Sequence, residues 1–166
     1  MTSTRTPEPV PHPDGPSLQD RYLPDLPCFG CGPANPRGLR LRSFAPDAGG
    51  PVVAAFTPWP EHDNGLGFLN GGIIATVLDC HSAAAVVHAA HENGWPAEPG
   101  VPLPYVTAGL DVRYRRPAPL AATLGLVAEV RDASYDEITA HVRLEHDGKV
   151  RAEAEATWKR WRPRPA

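Results

Sequence analysis

Cysteine is scarce in this chain, with three residues in 166. The opening residues MTSTRTPEPV lack the apolar core of a secretory signal. Together these absences argue against a disulfide framework and for a reducing, cytoplasmic setting. An excess of basic charge is also missing. Sixteen Lys and Arg face nineteen Asp and Glu, for a net charge of -3, so there is no domain-wide positive field to hold nucleic acid. No Walker-type phosphate loop occurs, and no internal repeat is evident. An uninterrupted membrane-spanning run is absent too. The longest low-charge stretch, Asn64 to Ala90, carries Asp79, His81 and His88 near its centre.

What is present fits one globular domain. Apolar residues make up 42% and charged residues 21%, and the length suffices for a real core. Many of the 21 prolines lie near the two ends. Residues 1–24 read as a flexible arm or an extended strap, and residues 25–162 as the folded domain. The segment PCFGCGPANPRG is full of turn formers, and LRLRSF and VVAAF read as strands.

A long helix follows. Asn70 is its expected N-cap, because an Asn side chain accepts from the free amides of the first turn. Asn93-Gly94 is its expected end. At 100° per residue, Ile73, Val77, Cys80, Ala84 and Val87 form one apolar stripe. Asp79 falls on another face, beside Gly72, Ala75, Ala83 and Val86. Those side chains are small enough to let a ligand or a second chain approach the carboxylate.

Four alternating segments complete the chain. Val106, Ala108, Leu110, Val112 and Tyr114 are expected to share one face, as are Leu124, Leu126 and Val130. The same holds for Ile138, Ala140, Val142 and Leu144, and for Val150, Ala152, Ala154, Ala156 and Trp158. Asp147-Gly148 is a strong hairpin signal. One packed and one wetter face per strand suits an antiparallel sheet. Several such strands and one long helix predict an α+β fold, with a strongly twisted sheet wrapped round the helix.

Read alone, the chemical candidates keep bland alternatives. Asp79 fits a buried aspartate satisfied by backbone or Thr hydroxyls as well as a reactive group. Gly71-Gly72 fits a tight turn as well as a ligand approach. Arg113, Arg115 and Arg116 fit a solvated strand face as well as a phosphate contact. Cys28 and Cys31 form a C-x-x-C, but zinc needs four ligands and there is no second pair. The expected role of that segment is a turn, with Cys80 a core residue. His81 and His88 read as core or interface histidines.

NGLGFLNGG followed by IIATVLD resembles the signature of the hotdog-fold acyl-CoA thioesterases of the PaaI-like group. Asn64, Asn70-Gly71-Gly72 and Asp79 stand at the positions of that signature. CFGCGPANPRGLRLRSF and YRRPAPL extend the resemblance from about Cys28 to Trp158. The group carries His where this chain has Asn70, and Asn cannot titrate near neutral pH.

The resemblance implies a hotdog fold of about six strands and hydrolysis of an acyl-CoA thioester, with no metal or redox cofactor. It implies self-association as a homodimer or a dimer of dimers, with the site shared across the interface. The Gly71 amide of one subunit would polarise the thioester carbonyl. Asp79 of the other would act as general base or nucleophile. Asn64 and Asn70 would complete the catalytic group. Gly72, Thr107, Ala83, Arg115 and Arg116 would contact substrate or its attacking water. A non-catalytic acyl-CoA-binding module and a hydratase of the same fold are the alternatives.

Overall fold

The computed structural model describes residues 13–164. Their order is α1 (Leu18–Tyr22), β1 (Ser43–Phe44), β2 (Val52–Phe56), α2 (Gly71–Glu92), β3 (Tyr105–Tyr114), β4 (Leu124–Ala133), β5 (Glu137–His146) and β6 (Lys149–Arg160). The six strands form one antiparallel sheet in the order β1-β2-β4-β5-β6-β3, and α2 packs across it. This is the predicted arrangement of a hotdog fold, a sheet wrapped on one long helix.

The strand alternation sets the core. Ile138, Ala140, Val142 and Leu144 of β5 are buried, as are Ala152, Ala154, Ala156 and Trp158 of β6. The four alanines on these strands let α2 lie close to the sheet. Val77 and Leu78 of α2 are fully enclosed, each contributing about 1.5–3 kcal/mol of apolar burial. Asp147 and Gly148 both adopt left-handed backbone, with φ of 52° and 67°, as a two-residue hairpin requires.

Helix α2 begins and ends where expected, capped by Asn70 and Asn93, with Gly94 at φ 74° just beyond. Its buried surface is broader than the predicted stripe. Ile74, Leu78, His81, Ser82, Ala85 and Val86 are buried as well, whereas Ile73 is only partly covered. Between its first turn and its C-terminal end, α2 stays partly open along a seam through Ala75, Thr76, Asp79 and Ala83. Val86, placed beside Asp79 by the periodicity, is fully buried.

Three strand expectations need correction. In β6 the register shifts at Arg151, so Val150 pairs with Glu145 and leaves the face it was expected to share with Ala152. Of LRLRSF, only Ser43-Phe44 is ladder-paired. Leu39 and Leu41 point inward as expected, but their amides donate to the carbonyls of Phe29 and Gly30 in the cysteine turn, and Arg40 takes φ 56°. In β3 the single-face pattern breaks at Ala108. Thr107 pairs with Trp158 and Gly109 with Thr157, so Ala108 is an extra, bulged residue. Parity flips there. Thr107 therefore shares the helix side with Leu110 and Val112, which oppose Ala156 and Ala154, and Ala108 does not.

Within the predicted arm, residues 1–12 lie outside the described residues. Leu18–Tyr22 is helical, capped by Ser17, whose hydroxyl accepts from the Asp20 amide. Leu18 and Gln19 are buried. Gln19 donates to Ser43 Oγ at 3.1 Å and accepts from the Ser43 amide at 2.8 Å. Ser43 Oγ in turn meets His81 Nδ1 at 2.9 Å, and His81 Nε2 meets the Val52 carbonyl at 3.0 Å.

Candidate active site

Asp79 lies on the open seam of α2, half-buried. It lines a cavity of about 280 Å³ that is walled by Ala83, Val87, Tyr105, Thr107 and Trp158, together with Leu23, Leu26, Cys28 and Cys80. The bulge at Ala108 turns Thr107 toward the helix, and its hydroxyl donates to Asp79 Oδ1 at 2.8 Å. Burial pushes the Asp79 carboxyl above its ordinary value. The Thr107 hydrogen bond works against that shift, and negative charge on Cys28 adds to it. The cavity is an apolar chamber with one carboxylate in its wall.

The start of α2 forms a second surface. Asn70 Oδ1 accepts from the amides of Gly72 and Ile73 at 2.8 and 3.3 Å, which leaves the Gly71 N–H without a hydrogen-bond partner among the described residues. The Gly71 carbonyl accepts from Tyr114 Oη at 2.8 Å. A Cβ at Gly71 would meet only the Tyr114 ring, at 3.4 Å, so packing within the chain does not demand glycine there. Asn64 Oδ1 accepts from the amides of Leu66 and Phe68 and so shapes the NGLGF loop. Asn64, Gly71, Tyr114, Arg115 and Arg116 line a depression of about 430 Å³.

The two surfaces are separate within one chain. Gly71 and Asp79 are eight residues apart on α2, about 12 Å at 1.5 Å per residue, and they line different cavities. The structure thus joins Asp79, Thr107 and Ala83 at one place, and Asn64, Gly71, Arg115 and Arg116 at another. Gly72 donates its amide to Asn70. Arg115 is bound by Glu153, with Nε at 2.7 Å, and Arg116 donates to the Val150 carbonyl. His81 is sealed in the core and belongs to neither surface.

Four contributors escaped the sequence reading. Tyr114 was a strand residue there, yet its hydroxyl holds the first carbonyl of α2. Leu23, inside the expected arm, and Leu26, just after it, wall the cavity. Cys80 does not stand apart from the C-x-x-C. The sulfurs of Cys28, Cys31 and Cys80 all lie within 4.8 Å of one another. A third cysteine after a C-x-x-C-G was the available signal.

No protein-family profile and no curated protein matches the chain. Solved structures do match. A thioesterase superfamily protein from Shewanella loihica PV-4 is 26% identical, with 78% of this chain and 98% of that one covered and a TM-score of 0.60. The E. coli PaaI protein of the phenylacetic acid degradation operon is 19% identical, with 74% and 80% covered and a TM-score of 0.59. The BH2602 protein from Bacillus halodurans, solved with CoA, is 22% identical, with 64% and 65% covered and a TM-score of 0.53. The fold is that of the thioesterase superfamily, in agreement with the PaaI-like signature.

Proposed function

We propose that this protein hydrolyses acyl-CoA thioesters at a site shared by two copies of the chain. The observation that carries the reading is Asp79, a half-buried carboxylate held by Thr107 in the wall of an apolar cavity. Its raised proton affinity suits a general base. Likeness to thioesterase superfamily proteins, one of them solved with CoA, supports the substrate class.

In this reading the acyl chain enters the cavity beside Ala83. The thioester carbonyl lies against the free Gly71 amide of the other subunit, where the helix dipole and the N–H stabilise developing negative charge. Asp79 takes a proton from water as the water oxygen bonds to the carbonyl carbon. The carbon–sulfur bond then breaks, and the thiolate leaves as CoA and regains a proton. Sharing the site between copies resolves the 12 Å separation along one helix.

One observation favours a second reading, an acyl-CoA-binding module without turnover. Asn70 spends its side-chain oxygen on capping α2, so the position at which the PaaI-like group carries His offers no titrating group. A thiol-release screen over an acyl-CoA panel separates the two. Hydrolysis predicts turnover of at least one substrate, lost on the order of a hundredfold or more in Asp79→Asn. Binding without free thiol supports the module, and equal rates in the two proteins remove Asp79 from the mechanism.

A further inference from the structure

The C-F-G-C-G turn presses against the middle of α2 more closely than any side chain at Gly30 would permit. A Cβ there would sit 2.2 Å from Cys80 Sγ and 3.1 Å from Thr76 Cγ2. A Cβ at Gly32 would sit 2.3 Å from the Cys28 nitrogen and from the Leu26 carbonyl oxygen. Both glycines are therefore needed for the turn to close on itself and on the helix. Closure is sealed by the Gly32 amide donating to the Cys28 carbonyl at 2.9 Å. The result is one thiol from the helix facing two from the turn.

The spacing of these thiols is that of ligands round one ion. Four sulfurs at about 2.3 Å from a tetrahedral zinc stand about 3.8 Å from each other. Cys28 Sγ and Cys80 Sγ are 3.8 Å apart, and Cys31 Sγ completes the triangle within 4.8 Å. Each sulfur belongs to a residue lining the apolar cavity, which leaves a fourth coordination position on the cavity side.

We propose that Cys28, Cys31 and Cys80 bind a zinc-class cation through three thiolates, with water in the fourth position. On binding, the thiols release their protons to solvent. Hydrogen bonds from the Cys31 and Cys80 thiols hold Cys28 below the usual thiol range, and the same contacts, with burial, push Cys31 and Cys80 up, so those two protons are the ones the cation must displace. Arg42 donates to the Cys31 carbonyl at 3.0 Å, and its positive charge offsets the excess negative charge of three thiolates on one divalent ion. The metal would pin the cysteine turn to α2 and so fix one wall of the cavity that holds Asp79.

Metal binding does not depend on thioester hydrolysis, and its test reads the metal alone. The reduced full-length protein is titrated with cobalt(II) and then with zinc. One equivalent should produce a sulfur-to-cobalt charge-transfer band with tetrahedral visible bands, and zinc should bleach both. Cys80→Ser should weaken cobalt affinity by at least the roughly 10–100-fold that losing an outer-shell partner costs. Thiol labelling of the wild type keeps the test independent of variant folding, because zinc should protect three thiols per chain. Absence of the charge-transfer band, unprotected thiols under zinc, or a Cys28–Cys80 disulfide in protein that takes up no metal would each overturn the site.

Discussion

Thr107 reaches Asp79 because β3 carries one residue too many. Without the bulge at Ala108, the strand parity fixed by Leu110 and Val112 would put Thr107 on the outer face of the sheet. Its hydroxyl instead donates to the carboxylate at 2.8 Å. Thr107→Val keeps the shape and removes the donor. A hydrogen bond to a charged group is worth about 1.5–3 kcal/mol, so kcat for thiol release should fall roughly ten- to hundredfold, with KM little changed and the melting temperature lowered by a few degrees. Unchanged kcat would reduce Thr107 to a packing residue.

That bulge also marks where sequence reasoning stops. Period-two alternation located β4, β5 and β6 because their bulges, at Arg131 and Arg151, lie toward the strand ends and leave long regular buried faces, and the Asn70 cap and Gly94 bounded α2. Alternation cannot report an inserted alanine whose neighbours are Thr and Gly, since none of the three declares a face. The burial of Leu18 and Gln19 was hidden for another reason. Their segment is polar in composition, and only the Ser43–His81 network in the core explains why a glutamine is enclosed. Asp79, Gly71 and Asn64 were legible as a spaced motif, but the meeting of Cys80 with Cys28 and Cys31 depends on tertiary packing.

Gly30→Ala tests that packing directly. The added methyl would overlap Cys80 Sγ at 2.2 Å, so the turn must lift from the helix. Overpacking of this kind costs about 1–3 kcal/mol. Gly109→Ala is the contrast, because its Cβ would meet nothing closer than Thr157 at 3.8 Å. Urea unfolding should show a lowered midpoint for the first variant and a near-normal one for the second. Equal midpoints would mean that the turn is not pressed on α2.

His81 should make the fold acid-sensitive. Burial holds its imidazole down from 6.5 to about 4, and the backbone hydrogen bonds to Val52 and Leu126 work against that shift without cancelling it. A depressed pKa means that the unfolded chain binds the proton more readily. The stabilisation is therefore complete above pH 6.5 and is lost as pH falls toward 4, by about 3 kcal/mol. Denaturant unfolding at stepped pH should show this loss, and His81→Gln should flatten the slope in that window. A wild-type slope no steeper than that of the variant would show that His81 takes up its proton in the folded state.

The Gly71 amide can be removed almost without touching the fold. Proline is tolerated at the first position of a helix, where the N–H has no helical partner. The residue before it must be extended, and Asn70 already has φ -59° and ψ 135°. Gly71→Pro should therefore melt close to wild type yet lose about 10²–10³ in kcat, the cost of one oxyanion donor. Gly71→Ala keeps the N–H and controls for the added Cβ, so it should lose less. Co-expressing Gly71→Pro with Asp79→Asn then distinguishes a shared site from a separate one. In a shared site each mixed dimer pairs the intact Gly71 of one chain with the intact Asp79 of the other, and activity returns above either parent. If both groups act within one chain, every site in the mixture carries a lesion, and activity stays at the level of the parents.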